Sequence, residues 1–207
     1  MERRSLGAVV ILAAGGGSRF GGQKLVAQFL GRPLLQHAID AACCSRALAC
    51  VLVVGAAPEA IVDCVDTRRC AVVRNDEWRE GIASSIRTGL AAAGDTDACC
   101  FVLGDQPFVT TEDLDAQFER GTGDRPRADL RGRMPIVALR SRRVWGAPIL
   151  FPRQDFGALG RLAGDGGAKR YAESQLARVR FVQAHDPRAF NDIDSLADLT
   201  TVASYDA

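Results

Sequence analysis

Three continuous apolar runs, each followed by glycine, constrain the fold of this chain more than any other feature. They cover residues 8–13, 51–54 and 98–103, and Gly15, Gly55 and Gly104 come just after them. Runs that are apolar on both faces are typical of strands buried within a parallel sheet. Apolar residues at helical spacing in 33–43, 58–65 and 84–93 predict the connecting helices. The sequence therefore predicts an α/β fold, a three-layer, doubly wound and mostly parallel sheet.

The second half of the chain is less regular. Residues 121–133 carry few apolar side chains and predict an exposed loop, after which residues 135–139 and 148–151 predict strands flanking a mobile connection. A helix is expected over residues 164–173, a strand over 179–182, and a last helix from Ser195. Because no repeat or low-complexity tract divides the chain, we expect a single domain over residues 1–207, with an acceptor-side lobe around residues 121–170.

Charge and hydropathy exclude two classes of partner. The chain has 207 residues, with 26 Lys and Arg against 25 Asp and Glu, so it lacks the basic surplus of a nucleic-acid-binding protein. Its longest apolar stretch, residues 47–57, is about half the length that spans a bilayer. We therefore expect a cytoplasmic protein that binds neither nucleic acid nor membrane.

Seven cysteines, an odd number, are spread without any Cys-x-x-Cys pair, at positions 43, 44, 50, 64, 70, 99 and 100. This spacing predicts no disulfide framework and no zinc site. Most of the thiols stand in apolar surroundings, where they are expected to pack as small hydrophobic side chains. His37 and His185, the only histidines, are likewise expected to be structural.

A glycine-rich loop after the first apolar run is the strongest functional signal. Five glycines occur within residues 15–22, beginning with Gly15, Gly16 and Gly17, and Arg19 and Lys24 add positive charge. Glycines let backbone N–H groups converge on an anion, so the loop predicts a polyphosphate site. A doubly wound sheet would bring this loop, Gly55 and Gly104-Asp105 to one rim, at the carboxyl ends of the strands.

Three common loop motifs do not match. A Walker A loop needs Ser or Thr after its lysine, where Leu25 stands. A dinucleotide fingerprint needs Gly or Ala at the position of Phe20, and an acid where the second strand runs into Gly55 and Ala56. The nucleophile elbow Gly-x-Ser-x-Gly also fails at Phe20.

Carboxylates at two places are candidate ligands of a metal ion. Asp105 follows the strand predicted at residues 98–103, where Mg²⁺ can bridge protein and phosphates, although an Asx turn also explains an Asp at this position. Asp192 and Asp194 alternate around Ile193, so both can face one side of an extended segment. Capping of a helix at Ser195 is the alternative explanation.

A helix start rich in small residues follows Gly81. Ser84 and Ser85 at this start can hydrogen-bond a base or a ribose, and simple capping would produce the same residues.

These motifs together resemble the MobA-like nucleotidyltransferase family, in order and over nearly the whole chain. They are Leu12-Ala13-Ala14-Gly15 with Arg19, Gly21 and Lys24; Gly81, Ser85 and Gly89; Gly104-Asp105 and Pro107; Gly146 with residues 148–151; Gly164-Asp165 with Gly167-Ala168; and Asp192-Ile193-Asp194. The Leu-Ala-Ala-Gly form is similar to the cytidylyltransferases of the molybdenum-cofactor branch.

The resemblance implies transfer of CMP from CTP to a molybdopterin-type phosphate, with release of pyrophosphate. Arg19 and Lys24 would bind the triphosphate, and Mg²⁺ would be held by Asp105 with Asp194 or Asp192. The nucleotide would lie against Ala13, Ala14, Gly15, Gly16, Gly17, Lys24, Gly81, Ser84 and Ser85. The acceptor would meet Trp145, Gly146, Pro148 and Asp165. A molybdoenzyme or its chaperone would be the protein partner.

One departure from the family pattern leaves a second function open. The family commonly has His or Asn between the glycine and proline of the acceptor motif, where this chain has Ala147. The family also includes nicotine blue oxidoreductases, which use NADH or NADPH to reduce an aromatic pigment. Such an acceptor can stack on Trp145, and the glycine loop can hold a dinucleotide pyrophosphate. A non-catalytic nucleotide-binding or chaperone role is the third alternative.

Overall fold

The computed structural model describes residues 7–15, 24–122, 128–129, 131–191 and 193. Within these ranges the chain forms nine strands and six α-helices. The strands are β1 (Gly7–Ala13), β2 (Gln28–Phe29), β3 (Arg32–Pro33), β4 (Ala49–Val54), β5 (Ala71–Arg74), β6 (Ala98–Leu103), β7 (Ile136–Ser141), β8 (Val144–Pro152) and β9 (Val179–Gln183). The helices are α1 (Leu34–Cys44), α2 (Pro58–Val62), α3 (Ile82–Ala92), α4 (Thr111–Thr122), α5 (Phe156–Leu159) and α6 (Ala168–Ser174).

Seven of these strands form one sheet, in the order β5-β4-β1-β6-β8-β7-β9. All neighbours pair in parallel except β8, which is antiparallel to both β6 and β7. The two remaining strands, β2 and β3, pair separately as a small antiparallel ribbon. The predicted mostly parallel α/β sheet is therefore confirmed, with β1 in the interior between β4 and β6.

The apolar runs are buried because helices cover both faces of the sheet. Along β1, Val9 and Ile11 join one core cluster with Leu35 of α1, while Val10 joins a second cluster with Ile86 of α3. Successive residues of a strand point to opposite faces, so a strand buried on both sides must be apolar throughout. This arrangement gives the three predicted layers.

The prediction of a mobile connection between residues 139 and 148 is wrong. β7 continues to Ser141 and β8 begins at Val144, so the two strands form a hairpin with Arg142 in its turn at φ 53°. The side chains around the turn, residues 142–144, are exposed. A search for continuous apolar runs misses this part of a hairpin.

Helix α4 was not predicted, although its first turn carries a recognisable signal. Asp113 accepts a hydrogen bond from the backbone N–H of Thr110 at 3.0 Å, and Thr110 Oγ1 accepts from the Asp113 N–H at 3.3 Å. This reciprocal pair is the arrangement of a capping box, with Asp in place of Glu. The helix runs to Thr122, two residues into the predicted loop, and packs Phe118 against Gly7.

Two other helix predictions differ in their bounds or lie outside the described residues. The helix predicted over 164–173 starts only at Ala168, because Gly164 adopts φ +59° and the N–H of Gly167 turns back to the carbonyl of Asp165. The helix predicted from Ser195 lies outside the described residues. Within the described ranges no helix combines the length and the apolar character needed to cross a membrane.

Candidate functional site

A cavity of about 720 Å³ opens at the carboxyl ends of the two central strands β1 and β6. After β1 the chain lines it with Ala14 and Gly15, and at the end of β6 with Leu103 and Asp105. The carboxyl edge of an open parallel sheet is the usual ligand-binding position in this type of fold. Cavities that bind small ligands usually measure about 300–1,000 Å³, so this one has room for a nucleotide.

An ion pair lies in the wall of this cavity. Lys24 Nζ lies 2.9 Å from Asp105 Oδ2, and the two side chains are 11% and 29% exposed. Lys24 begins a short 3₁₀ turn after the glycine-rich segment, whereas Asp105 follows β6. The fold thus brings a cation and a carboxylate, 81 positions apart in sequence, to one point of the cavity wall. The pair is not fully buried, so its two charges can be reached by a ligand in the cavity.

The opposite wall requires glycine at position 81. Gly81 adopts φ +102°, a backbone region almost confined to glycine. A Cβ atom there would lie 2.5 Å from Asp165 Oδ1 and 2.6 Å from the carbonyl carbon of Gly164. The N–H of Ala83 donates to the Gly164 carbonyl at 3.1 Å, which fastens the 164–165 loop to the start of α3. Asp165 reaches the cavity for this reason.

Asn75 positions the two serines at the start of α3. Its buried amide donates to Ser84 Oγ at 2.9 Å and to Ser85 Oγ at 3.0 Å. Ser84, which is 1% exposed, donates in turn to the carbonyl of Gly81 at 2.8 Å. Ser85 lines the cavity, and its hydroxyl can still donate its own proton to a ligand. The structure therefore separates the two serines, with Ser84 supporting the helix start and Ser85 facing the ligand space.

Trp78 and Arg79 also line the cavity, and no motif in the sequence singled them out. The Arg79 guanidinium carbon lies 4.4 Å from the centre of the Trp78 ring. Gly55 permits the approach of this segment, since a Cβ there would lie 2.8 Å from Trp78 Cβ and 2.7 Å from the Ala14 carbonyl oxygen. The sequence offered one signal, since Trp78 is one of its two tryptophans and stands three residues before Gly81.

Three predicted acceptor residues do not line the large cavity. Trp145 packs edge-on against Phe181, with ring centres 5.5 Å apart, and lies 5.3 Å from Lys169 Nζ. Gly146 and Pro148 are buried in β8, and the Pro148 carbonyl accepts a hydrogen bond from Gln117 at 2.6 Å. The peptide bond before Pro148 is cis.

A second, smaller cavity lies between these acceptor residues and the large cavity. Its volume is about 140 Å³, and Ala147 and Lys169 are among the residues that line it. It shares Leu12, Ile82 and Leu103 with the large cavity. The departure from the family pattern at position 147 therefore falls on a wall next to the candidate nucleotide space.

The predicted residues that line the large cavity are Ala13, Ala14, Gly15, Lys24, Gly81, Ser85, Asp105 and Asp165. Gly16, Gly17, Arg19, Asp192 and Asp194 lie outside the described residues. Ile193, between the last two, is buried in a cluster with Phe108, which follows Asp105 by three positions.

This sheet, with a glycine-rich segment following its first strand in the sequence and a carboxylate at the end of the neighbouring strand, has the fold of a nucleotidyltransferase-like α/β protein. The chain belongs to the MobA-like NTP transferase domain family, whose model matches residues 9–179.

Three relatives illustrate the similarity. Nicotine blue oxidoreductase of Paenarthrobacter nicotinovorans is 27% identical over 202 residues, covering 92% of this chain and 93% of the relative. The crystal structure of Rv0371c from Mycobacterium tuberculosis H37Rv is 26% identical with a TM-score of 0.77, covering 97% of this chain and 99% of that one; a manganese complex of Rv0371c is also known. A nucleotidyl transferase from Methanothermobacter thermautotroptrophicus, Mth528, is 22% identical with a TM-score of 0.79 and covers 97% of both chains.

Proposed function

We propose that this protein is a magnesium-dependent cytidylyltransferase that moves CMP from CTP to a molybdopterin-type phosphate. In this reaction an acceptor phosphate oxygen attacks the α-phosphorus of CTP, the bond from that phosphorus to the bridging oxygen breaks, and pyrophosphate leaves. The observation that carries the proposal is the pairing of Lys24 with Asp105 in a nucleotide-sized cavity at the strand ends. Nucleotidyl transfer needs a cation for the leaving phosphates and an oxygen ligand for a metal ion, and these two residues supply them.

Lys24, Arg19 and the backbone N–H groups of the glycine-rich loop would bind the triphosphate. Their positive charge would stabilise the negative charge that develops as pyrophosphate departs. For this, the Lys24 ammonium must turn from Asp105 toward the phosphates. The negative charge of the triphosphate would then replace that of Asp105 as the partner of the ammonium group.

The carboxylate of Asp105 fits a hard divalent ion, since Mg²⁺ prefers oxygen ligands. When bound, Mg²⁺ would neutralise phosphate charge and bring the α-phosphate and the acceptor phosphate together. Asp194 or Asp192 would supply a second carboxylate. The burial of Ile193 with Phe108, close in sequence to Asp105, supports this assignment. The known manganese complex of the relative Rv0371c also agrees with a divalent ion.

The remaining walls would select the substrates. Gly81 and Ser85 would contact the base or ribose, while Ser84 holds the Gly81 carbonyl in place. Asp165, and the smaller cavity beside Ala147, would face the acceptor, with Trp145, Gly146 and Pro148 forming the strand behind it. The cytidylyl assignment rests on the Leu12-Ala13-Ala14-Gly15 motif. A molybdoenzyme or its chaperone would receive the product.

The second candidate is NADH- or NADPH-dependent reduction of a small aromatic compound. It is favoured by the 27% identity to nicotine blue oxidoreductase over nearly the whole of both chains. The end of β4 argues against it, because Val54 is followed by Gly55 and Ala56, where dinucleotide-binding folds carry a ribose-binding acid.

A thermal-shift panel separates the two candidates. The purified protein is heated with CTP, GTP or ATP, each with and without Mg²⁺, and with NADH or NADPH without metal. A ligand at about 100 times its dissociation constant stabilises the folded state by about 2.7 kcal/mol. In a domain of this size that raises Tm by roughly 5–10 °C.

The transferase proposal predicts a magnesium-dependent rise in Tm with CTP that exceeds the rise with GTP or ATP. An equal rise with GTP would remove the cytidine assignment and keep the transferase class. A rise with NADH or NADPH, and none with any triphosphate, would replace the first candidate by the second.

A further inference from the structure

Three cysteines that are far apart in sequence meet at the end of the sheet opposite the large cavity. Cys43 belongs to the last turn of α1, Cys50 is the second residue of β4, and Cys70 immediately precedes β5. Cys50 Sγ lies 3.2 Å from Cys70 Sγ, and Cys43 Sγ lies 3.4 Å from Cys70 Sγ. All three sulfur atoms lie within 4.8 Å of one another.

The fold itself creates this cluster. Strands β4 and β5 pair in parallel from Val51 opposite Ala71, so Cys50 and Cys70 occupy the preceding position of the same register. Helix α1 covers this face of the sheet and brings Cys43 onto the pair. Since the cavity lies at the carboxyl ends of the strands, the length of β4 separates it from the thiols.

We propose that Cys43, Cys50 and Cys70 form a binding site for a thiophilic metal ion of the Cu(I) and Zn(II) class. Thiolates are the ligands that select such ions over Mg²⁺ and Ca²⁺. An ion bonded at about 2.3 Å to three sulfurs in one plane separates those sulfurs by about 4 Å. The observed sulfur atoms need to move by less than about 1 Å each to reach that spacing.

A positive charge lies beside the cluster. Arg69, the residue before Cys70, donates to the Cys43 carbonyl and brings a guanidinium N–H within 3.9 Å of Cys44 Sγ. Its positive charge would balance the excess negative charge of three thiolates around a divalent ion.

The site differs from the proposed magnesium site in both chemistry and place. Its three ligands are sulfur atoms; they would complete a planar three-coordinate ion, and an ion that takes four ligands would add a water molecule. Cys50 is buried, whereas Cys43 and Cys70 are half-buried, so an ion can reach the cluster from solvent. The inference does not depend on the proposed transferase activity.

Cadmium is a suitable probe, because each Cd–S bond contributes to an ultraviolet charge-transfer band. The full chain is reduced, freed of metal and titrated with Cd²⁺ in excess Mg²⁺, which occupies oxygen sites. We expect the band to saturate at one equivalent. Cys70→Ser and Cys43→Ser should each weaken Cd²⁺ binding at least about tenfold. Cys44→Ser and Cys64→Ser are matched controls, since both thiols are exposed, and they should bind as the parent protein does.

Alkylation of the unaltered protein gives a second measurement that does not depend on a variant folding. Bound Cd²⁺ should protect Cys43, Cys50 and Cys70 while Cys44 and Cys64 still react. The proposal is overturned if the band does not appear, or if the control variants lose it as fully as Cys70→Ser does. The proposal is also overturned if Cd²⁺ changes the reactivity of none of the seven thiols. A Cys50–Cys70 disulfide that the reducing agent does not break would overturn it as well.

Discussion

Replacing Gly81 by alanine puts a methyl group where the 164–165 loop already lies. At φ +102° the substitution costs about 1–3 kcal/mol in backbone strain alone. The new Cβ would also stand 2.6 Å from the Gly164 carbonyl carbon, a backbone atom that cannot rotate away. Overpacking of this kind adds about 1–3 kcal/mol. The expected total is about 4 kcal/mol, or a fall in Tm of roughly 8–16 °C.

Gly94→Ala is the matched control for this experiment. Gly94 also has a positive φ, +65°, but among the described residues no atom outside its immediate chain neighbours lies within 4 Å of the position that a Cβ would take. Strain alone should cost about 1–2 kcal/mol there, or roughly 2–8 °C in Tm. Urea denaturation of both variants measures the difference, and CTP binding should weaken in Gly81→Ala alone. Equal destabilisation of the two variants would refute the close packing of loop and helix. Unchanged CTP binding in Gly81→Ala would refute the assignment of this wall to the nucleotide site.

Three other substitutions test the packing of the fold. Arg178 and Asp155 form a buried bidentate ion pair at 2.8 and 2.9 Å. Arg178→Met should therefore lower the free energy of unfolding, measured by urea denaturation, by about 3–5 kcal/mol. A loss below about 1 kcal/mol would contradict this. A Cβ on Gly89 would lie 2.3 Å from Val10 Cγ1, so Gly89→Ala should cost about 1–3 kcal/mol in the same assay, and an unchanged stability would show that α3 lies further from β1. Burial lowers the pKa of His37 below its ordinary value of 6.5, so as the pH falls this histidine is protonated in the unfolded chain before it is protonated in the folded protein. The free energy of unfolding should therefore fall between about pH 7 and pH 5, and it should fall less steeply in His37→Gln. Equal slopes in the two proteins would contradict it.

The centre of the sheet was predictable from the sequence because burial leaves a direct trace there. Strands β1, β4 and β6 are covered on both faces, and their residues are almost all apolar. The β7–β8 hairpin leaves no such trace, because exposed residues surround its turn. Helix α4 was missed for a different reason, since its mean hydropathy is low and only its capping residues mark it.

The sequence indicated which loops form the candidate site, but it did not indicate which side chains contact each other there. Glycines and charged residues after the strands indicated Lys24 and Asp105, and the topology explains why they meet. That Lys24 pairs with Asp105 depends on side-chain geometry, which no sequence pattern encodes. The role of Asn75 was invisible for the same reason.

The cysteines illustrate how far spacing alone can be used. Residues 43, 50 and 70 match no metal-binding spacing, and the sequence therefore predicted none. The pairing of β4 with β5 and the packing of α1 bring them together. Contacts of this kind arise from tertiary structure and become visible only once the fold is known.

Calorimetric titration of CTP with and without Mg²⁺ tests most directly whether the cavity is a metal-assisted triphosphate site. The parent protein is compared with Asp105→Asn and with Asp76→Asn, whose exposed carboxylate pairs with Arg74 at the surface. We predict magnesium-dependent binding that Asp105→Asn reduces at least about tenfold and Asp76→Asn leaves unchanged. Binding of CTP that is equally tight in all three proteins and independent of Mg²⁺ would contradict the account.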